Sequence, residues 1–147
     1  MKYAIRPLEE GDINDIVSGE TRIFGYSLGY DMIYAELKIN PYAHYFVLEI
    51  DGGFGGYIGL WIYEESAEII NFFVAEEYQG LGFGKLLMEF VIELCESVNV
   101  KTISLEVRKD NQKAINLYYK LGFTYSHERK KYYNDSTDAL VLIKHLR

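Results

Sequence analysis

The chain has 147 residues, of which 22 are acidic and 15 are lysine or arginine, so its formal net charge is -7 at pH 7. This length fits one domain spanning residues 1–147. The acidic balance argues against sequence-independent nucleic-acid binding, despite a small basic patch at Arg129, Lys130 and Lys131, and favours an amine or a basic peptide as partner. The chain opens without a charged-then-apolar leader, and no apolar run approaches the roughly 18 residues of a membrane span, so we expect a cytoplasmic protein with no membrane partner.

Hydrophobic periodicity divides the chain into short strands and helices, with no linker, repeat or low-complexity segment. In chain order, the pattern predicts a strand over Tyr3–Arg6, helices over Asp12–Phe24 and Tyr30–Lys38, strands over Tyr45–Ile50, Tyr57–Tyr63 and Glu68–Val74, a helix over Lys85–Val98, a strand over Lys101–Arg108, a helix over Asn111–Lys120, and a hairpin within Thr124–Leu146 that turns near Asn134, Asp135 and Ser136.

Turn residues set the borders of these elements. The second helix ends before Pro41, which disfavours helical geometry in the residue that precedes it. The glycine-rich run Asp51–Gly56 separates two β-rich strands and predicts a hairpin loop. For the helix nearest the carboxyl end, Asp110 or Asn111 is the expected N-cap, and Gly122 lies just past its last turn.

The single cysteine, Cys95, falls at core spacing with Val91, Leu94 and Val98 on a helical pattern. A lone cysteine makes no intrachain disulfide, and no histidine lies near it in sequence to activate a thiolate. We therefore expect an inert, packed thiol and not a nucleophile. The histidines lack metal-ligand spacing, so we expect no metal. They are His44, His127 and His145.

The most informative segment is the glycine-rich run Gln79–Gly84, which lies between a predicted strand and a predicted helix. Its three glycines allow the backbone to approach a ligand closely. The helix that follows directs unpaired amide groups and a partial positive charge at that ligand. The run predicts a pyrophosphate cradle, although a tight strand-to-helix turn can also need glycine for its φ angles alone.

The order of elements around this run predicts where its ligand lies. A strand, a crossover helix and a second strand form a right-handed unit, so Glu68–Val74 and Lys101–Arg108 should be parallel and their carboxyl ends should share one edge. Open α/β sheets bind ligands at that edge. Glu106 lies at the same edge, where its carboxylate could deprotonate a molecule that is held next to a nucleotide-like cofactor. The alternative is a surface carboxylate paired with Arg108 or Lys101.

Two groups of residues resemble signatures of a known family. Gln79, Gly82 and Gly84 are spaced as in the acyl-coenzyme A pyrophosphate motif of the GNAT superfamily of N-acetyltransferases. The second signature is carried by Asn111, Ala114, Leu117, Tyr118, Leu121, Gly122 and Phe123. More narrowly, the chain is similar over about half its length to the bacterial ribosomal-protein alanine N-acetyltransferases of the RimI type, through Leu105–Arg108, Asn111, Tyr118 and Arg129–Tyr133.

This resemblance implies an α/β (α+β) fold: a single GNAT domain with a mixed, mostly antiparallel sheet, a splayed parallel strand pair and flanking helices. It implies direct transfer of an acetyl group from acetyl-coenzyme A (acetyl-CoA) to an amine, without a covalent enzyme intermediate. The cofactor would lie in the gap between the parallel strands, held by strand backbone and loop amides. The implied cofactor-binding residues are Phe72, Phe73, Val74, Gln79, Gly80, Leu81, Gly82, Phe83, Gly84, Lys85 and Asn111.

By the same resemblance, Glu106 would be the general base and Tyr118 the general acid. An α-amine has a pKa of about 8 and must lose a proton before it attacks a thioester. Glu106 can accept that proton directly or through water, and a tyrosine hydroxyl can donate to the departing coenzyme A thiolate. Tyr118 lies two helical turns after Asn111, so both can face a cofactor along that helix. Packing of Tyr118 against Ala114 and Leu121 is the alternative.

Aromatic residues are the expected walls of the acceptor groove, and ordinary packing of these side chains is the alternative. They are Tyr26, Tyr30, Tyr132 and Tyr133. The segment Phe24–Ser27 is only loosely similar to the Phe-Pro-Trp-Ser segment found near the acceptor site of the RimI-type enzymes. Gly80 and Leu81 stand where that subfamily usually carries a basic or polar residue, so backbone amides, with help from Lys85, must supply more of the grip on phosphate.

The favoured function is an acetyl-CoA-dependent N-acetyltransferase for a protein N-terminus, with alanine of a small-subunit ribosomal protein as acceptor. One alternative is a transferase of the same fold for a small amine or a lysine side chain, which the atypical Phe24–Ser27 segment supports. A second is a non-catalytic acyl-CoA-binding regulatory module. A dinucleotide-binding domain fits less well, because three strands precede the glycine-rich run here. The oligomeric state, monomer or dimer, stays open.

Overall fold

The computed structural model describes residues 1–133 and 135–147, which contain every strand and helix that the sequence predicts. The strands are β1 Tyr3–Pro7, β2 Ala43–Ile50, β3 Gly53–Tyr63, β4 Ser66–Val74, β5 Thr102–Arg108, β6 Thr124–Arg129 and β7 Ala139–His145. The helices are α1 Ile13–Phe24, α2 Tyr30–Lys38, α3 Phe83–Ser97 and α4 Gln112–Lys120. None of the helices in these two ranges has the length and apolar character that crossing a membrane requires.

The strands form a mixed sheet in the order β1-β2-β3-β4-β5-β7-β6. Antiparallel pairing joins β1 to β2, β2 to β3, β5 to β7 and β6 to β7. The pair β4 and β5 is parallel, in a register that sets Ser66 beside Thr102 and Ile69 beside Leu105. The predicted fold class, a mostly antiparallel sheet with one parallel pair and flanking helices, is confirmed.

The chain divides into two compact units. Unit 1 comprises Met1–Trp61 and Asn71–Met88, and unit 2 comprises Ile62–Ile70 and Glu89–Arg147. Unit 1 therefore holds the glycine-rich loop, and unit 2 holds the predicted base and acid. The expectation of one domain over residues 1–147 stays a prediction.

The core of unit 1 joins residues of α1 and α2 to residues of β2, β3 and β4. Its buried members are Leu8, Ile13, Ile16, Ile33, Tyr45, Val47, Tyr57 and Phe73. Two glycines make this packing possible, because a Cβ at Gly19 would overlap the ring of Phe73 and a Cβ at Gly56 would lie 2.5 Å from the carbonyl oxygen of Phe73. Helix α1 and strand β3 thus lie directly against Phe73, which fixes the end of β4.

The hairpin between β2 and β3 turns more tightly than the sequence predicts. Asp51 and Gly52 form the turn with φ values of 51° and 81°, the left-handed geometry that a two-residue type I′ turn requires. The rest of the predicted loop, Gly53–Gly56, belongs to β3, so that part of the prediction is wrong. Gly56 serves close packing against the backbone of β4, and a single sequence cannot separate that use of glycine from a turn.

The structure of α3 confirms the prediction for Cys95, but both ends of the helix differ from the predicted ones. The thiol is fully buried, and burial raises its pKa to about 11, so it is inert at neutral pH. The helix begins at Phe83, two residues before the predicted Lys85. Val98 is 49% exposed and lies past the last turn, next to Asn99 at a positive φ of 64°, so its predicted core position is wrong.

The elements of unit 2 follow the predicted pattern closely. Along β5, the alternating residues Ile103, Leu105 and Val107 are buried. Helix α4 begins after Asn111, whose Oδ1 accepts a hydrogen bond from the amide of Ala114 at 3.3 Å. Asn111 and not Asp110 is therefore the N-cap. The predicted turn of the last hairpin includes Asn134, which lies outside the described residues.

Candidate active site

The glycine-rich loop of unit 1 ends at the amino terminus of α3. Gly80 and Gly82 have φ values of 78° and 91°, and a Cβ on either would meet no atom of the described residues within 4 Å. Glycine is thus needed at these two positions because the backbone adopts left-handed φ values, and not because a side chain would clash with a neighbour. Leu86 donates to the carbonyl of Gly82 at 3.1 Å, so the amides of residues 83–85 precede the hydrogen bonds of the helix. This arrangement can bind an anion.

Side-chain contacts fix the loop to its surroundings in unit 1. The ring of Phe83 packs edge-on against Tyr3 and Tyr78, with centroids 6.0 and 6.4 Å away. Gln79 donates from Nε2 to the carbonyl oxygen of Val74 at 2.9 Å, so its side chain secures the end of β4. A short 3-10 turn, Glu76–Tyr78, which the sequence pattern does not predict, separates β4 from the loop.

The residues predicted to pair with pantetheine, Phe72, Phe73 and Val74, are the last three residues of β4. Phe73 and Val74 are 4% and 8% exposed, and Phe72 is half-buried. The ring of Phe73 packs against Tyr57 at 5.1 Å and Phe24 at 6.3 Å between centroids. Because the side chains of Phe73 and Val74 are committed to the core, a ligand could use their backbone groups, as the prediction requires.

Unit 1 also contains a buried carboxylate that is not among the predicted site residues. Glu20 on α1 is 1% exposed. Its Oε2 accepts hydrogen bonds from the Tyr57 hydroxyl at 2.6 Å and from Nδ2 of Asn71 at 2.5 Å, and its Oε1 accepts one from the Ser27 hydroxyl at 2.8 Å. A signal was present in the sequence, because Glu20 follows Ile16 by one helical turn and so lies on the apolar stripe of α1.

Two of the predicted acceptor-groove tyrosines lie at the connection between α1 and α2: Tyr26 is within it, and Tyr30 is the first residue of α2. Tyr26 is 58% exposed and Tyr30 is 40% exposed, and the ring of Tyr30 stacks on Tyr34 with centroids 6.3 Å apart. Gly25 ends α1 with a φ of 83°, and Gly29 precedes α2 with a φ of 91°. The connection is therefore a tight bend that presents both aromatic rings to solvent.

In unit 2, the predicted base Glu106 lies in an ion pair. Arg129 donates from Nη1 to Oε1 of Glu106 at 2.5 Å, and its guanidinium lies 4.1 Å from the centroid of the Tyr132 ring. The hydroxyl of Tyr132 also hydrogen-bonds to Glu106, and this bond, with partial burial, raises the pKa of Tyr132. The partner of Glu106 is thus Arg129, and not the Arg108 or Lys101 considered from the sequence.

A second carboxylate, Glu68, shares this environment. In the parallel register Glu68 lies beside Ser104, which is two residues before Glu106 on the same face of β5. Burial and then the negative charge of Glu106 raise the pKa of Glu68, and the positive charge of Arg129 opposes them. Among residues 1–133 and 135–147, no three acidic, histidine or cysteine side chains are grouped to hold a metal ion.

The predicted acid, Tyr118, is buried on α4. It is 7% exposed, and its ring packs edge-on against Phe123 with centroids 6.0 Å apart. Burial, and to a smaller degree Tyr133, raises the pKa of Tyr118 above its ordinary value. The hydroxyl therefore stays protonated across the neutral range, which a proton donor requires.

Tyr133 is held by Arg108. The guanidinium of Arg108 lies 4.9 Å from the centroid of the Tyr133 ring and donates from Nη2 to Asp135 at 2.5 Å and to the Thr137 hydroxyl at 2.9 Å. Neighbouring tyrosines of the hairpin are thus each braced by one arginine, Tyr133 by Arg108 and Tyr132 by Arg129.

The predicted site residues form two sets. Unit 1 carries Tyr26, Tyr30, Phe72, Phe73, Val74 and the loop from Gln79 to Lys85, and unit 2 carries Glu106, Asn111, Tyr118, Tyr132 and Tyr133. Within unit 2, Glu106 accepts a hydrogen bond from Tyr132, and the electrostatic influence of Tyr133 helps to raise the pKa of Tyr118. Asn111 is instead engaged in capping α4, so a cofactor contact from it would use its Nδ2 group.

Known proteins match nearly the whole chain. Residues 12–123 match the acetyltransferase (GNAT) family. A Bacillus subtilis (strain 168) protein named provisionally as a ribosomal protein bS18-alanine N-acetyltransferase is 39% identical, over 96% of this chain and 94% of that protein. An N-alpha-acetyltransferase of Sulfurisphaera tokodaii is 30% identical, over 96% and 92%. The crystal structure of the ribosomal-protein-S18-alanine N-acetyltransferase from Escherichia coli matches with a TM-score of 0.90 at 27% identity, over 98% of this chain and 94% of that one.

Proposed function

The chain belongs to the acetyltransferase (GNAT) family and is an N-acetyltransferase, and from this premise we propose that it transfers the acetyl group of acetyl-CoA to the N-terminal alanine of ribosomal protein bS18. The name of the 39% identical relative supports this acceptor. The observation that carries the chemistry is the placement of Glu106, a carboxylate on β5 that Arg129 and Tyr132 hold in a fixed orientation.

In unit 1, the glycine-rich loop and the end of β4 have the features that acetyl-CoA binding needs. The amides of residues 83–85 and the left-handed Gly80 and Gly82 suit the anionic pyrophosphate, and the exposed side chain of Lys85 adds a positive charge. The backbone of Phe72, Phe73 and Val74 would pair with the pantetheine arm. Bound acetyl-CoA supplies an activated thioester. The protein therefore has to orient this thioester, accept a proton from the amine and donate a proton to the departing sulfur.

Glu106 is the proposed general base. An N-terminal amine has a pKa of about 8, so much of it is protonated at neutral pH and cannot attack a carbonyl carbon. Glu106 accepts one proton from this ammonium group, directly or through water, and the nitrogen lone pair becomes available to form the new C–N bond. The hydrogen bonds from Arg129 and Tyr132 limit the rotamers of the carboxylate, which reduces the entropy lost on reaching a reactive geometry.

Tyr118 is the proposed general acid. As the C–S bond of the thioester breaks, the sulfur takes the bonding electrons and a proton from the Tyr118 hydroxyl. Burial favours the protonated form of this hydroxyl, so the donor is ready at neutral pH. The second proton that the nitrogen loses as it becomes an amide passes to solvent, and solvent restores the proton of Tyr118 after each turnover. An ordinary thiol has a pKa of about 8.5, so protonation assists its departure.

A steady-state assay with acetyl-CoA and a short alanine-initiated peptide tests the proposal through release of coenzyme A thiol. We expect turnover by the wild type and a fall in kcat on the order of 100-fold for Glu106→Gln and for Tyr118→Phe, with acetyl-CoA affinity unchanged. Tyr119→Phe is the matched control, since Tyr119 is the next residue and is 44% exposed; its kcat should equal that of the wild type.

Two results would contradict the proposal. A wild type that is inactive on the alanine peptide but active on small amines or lysine peptides would reject the acceptor. The bend at Phe24–Ser27, with glycine and tyrosine where proline and tryptophan occur in the RimI-type segment, favours this second candidate. An unchanged kcat in Glu106→Gln would reject the base whatever the acceptor.

A further inference from the structure

We propose that Glu20 is a positioning residue for the reaction: through Oε1 its carboxylate holds the bend that presents Tyr26 and Tyr30, and through Oε2 it holds the strand end proposed to bind acetyl-CoA. The inference rests on the proposed function and deepens it. The three residues that donate hydrogen bonds to Glu20, namely Ser27, Tyr57 and Asn71, lie within unit 1.

The placement of Glu20 is costly for a residue that only fills space. Its side chain is buried to the same degree as the apolar residues around it, and its hydrogen-bond donors, Tyr57, Asn71 and Ser27, are uncharged groups. Burial of a carboxylate is unfavourable unless hydrogen bonds replace its hydration. An apolar residue could fill the same stripe of α1 without this cost, so the geometry that the carboxylate imposes is what Glu20 contributes.

The first arm of the network sets the bend between α1 and α2. Ser27 donates its hydroxyl proton to Oε1 of Glu20 at 2.8 Å, and the same hydroxyl oxygen accepts a hydrogen bond from the amide of Gly29 at 3.0 Å. Gly29 precedes α2 with a φ of 91°. These two hydrogen bonds, from Ser27 to Glu20 and from Gly29 to Ser27, therefore fix the bend that contains Tyr26 and leads into α2 at Tyr30.

The second arm sets the end of β4. Oε2 of Glu20 accepts from Nδ2 of Asn71, the residue directly before Phe72, and from the hydroxyl of Tyr57 on β3. The ring of Tyr57 in turn packs edge-on against Phe73. Burial and the charge of Glu20 raise the pKa of Tyr57, so its hydroxyl keeps the proton that it donates.

The assignment of donors to the two oxygens yields a sharp pair of variants. In Glu20→Gln, the amide oxygen can replace Oε2 and accept from Tyr57 and Asn71, while the amide nitrogen replaces Oε1 and donates to the Ser27 hydroxyl, which can rotate its own proton away. The geometry survives and the charge is lost. Glu20→Asp keeps the charge but is shorter by one carbon–carbon bond, about 1.5 Å, so its oxygens no longer reach the donors.

Separate KM values for acetyl-CoA and for the acceptor peptide test the proposal. We expect Glu20→Gln to stay within about threefold of the wild type in both, and Glu20→Asp to raise both by about tenfold, the equivalent of one lost hydrogen bond at each arm. Ser27→Ala should raise the KM of the acceptor alone, and Asn71→Ala should raise the KM of acetyl-CoA alone. In each variant kcat should change much less than KM.

Thr21→Ala is the matched control, because Thr21 follows Glu20 on α1 and its exposed hydroxyl bonds to the carbonyl of Val17 within the helix; neither KM should move. A merely structural role would lower the folded fraction, and hence the apparent kcat, while both KM values stay at wild-type levels. That result would overturn the proposal. An impaired Glu20→Gln beside a normal Glu20→Asp would overturn it as well, because it would mean that the charge matters and the reach does not.

Failure of the proposed function would look different, since the wild type itself would not acetylate the alanine peptide. Amide hydrogen exchange of Gly29 and of residues 71–74 then tests Glu20 without turnover. Faster exchange in Glu20→Asp than in the wild type and in Glu20→Gln would support the positioning role, and equal exchange in all three would overturn it.

Discussion

Asn111 closes the first turn of α4 and is also a proposed contact for acetyl-CoA. The two tasks use different atoms of one amide, since Oδ1 accepts from the amide of Ala114 and Nδ2 would face the ligand. An aspartate at this position keeps an oxygen for the cap but has no donor to offer a phosphate or carbonyl group. Substitution can therefore separate the contribution to helix stability from the contribution to binding.

Asn111→Ala should lower the free energy of unfolding by about 1 kcal/mol through loss of the cap and should also weaken acetyl-CoA binding. Asn111→Asp should keep the wild-type stability and weaken binding alone. Denaturant unfolding and calorimetric titration with acetyl-CoA measure the two effects. Asn116→Ala, in the same helix and bonded to Gln112, is the control and should change neither. Equal acetyl-CoA affinity in all these variants would limit Asn111 to the cap.

The sequence identified Glu106 and Tyr118 as candidates, but it could not identify the surroundings that prepare them. Arg129 was visible as part of a basic run in the last hairpin, yet its pairing with Glu106 depends on where β6 lies. In the sheet β7 pairs directly with β5 and β6 follows it, so Arg129 reaches across one strand. Local periodicity does not determine such an order, because it reports the burial of a strand and not its neighbour.

Helix α1 and strand β4 meet at a close contact between Gly19 and Phe73. A Cβ on Gly19 would overlap the Phe73 ring, and this ring cannot move freely because Tyr57, Phe54 and Phe24 surround it. Helix α1 can therefore lie this close to β4 only because residue 19 has no Cβ. The sequence predicted both elements, but glycine within a helical pattern did not reveal which strand would lie against it.

Gly19→Ala should lower the free energy of unfolding by about 1–3 kcal/mol from overpacking, even though alanine favours helix by up to about 1 kcal/mol over glycine. Gly11→Ala is the control, since a Cβ there meets no atom of the described residues within 4 Å, and its effect should stay within about 0.5 kcal/mol. Denaturant unfolding gives both values. Restored stability in the double variant Gly19→Ala with Phe73→Leu would confirm the contact, and a fully additive loss would contradict it.

At the scale of the whole molecule, burial keeps the hydroxyl groups of Tyr45, Tyr57 and Tyr118 protonated. Burial is the largest cause that raises the pKa of Tyr45, Tyr57 and Tyr118. Each folded pKa lies above the unfolded value of 10.0, so the folded state binds these protons more tightly. The resulting stability is fully present below pH 10 and is lost as the pH rises through the folded pKa values.

The free energy of unfolding should therefore fall with pH above about 10, by up to about 1.4 kcal/mol per pH unit for each buried tyrosine. Tyr57→Phe should be less stable than the wild type at pH 8, because Glu20 loses a donor, and its curve should be shallower above pH 10. Tyr125→Phe is the control, since Tyr125 is 54% exposed, and it should keep the wild-type slope. Denaturant titrations from pH 8 to about pH 11 decide, and parallel curves for all three proteins would contradict the assignment.

Most of the architecture could be predicted because strand and helix periods are local properties, and the parallel pair followed from the right-handed crossover rule. Two of the differences concern residues that have two possible uses. The sequence predicts a loop at the glycines of β3, and it predicts no role for Glu20. In both cases the use is determined by elements distant in sequence, β4 for the glycines and β3, β4 and the bend at Ser27 for the carboxylate.

Cys95 has a practical consequence. The chain has one cysteine, and its sulfur is sealed in the interior, so alkylating dyes have nothing native to react with on the folded surface. A cysteine introduced at Leu81, which is 55% exposed in the glycine-rich loop, would then carry a fluorophore or spin label at a single known position, without any prior removal of native sulfur.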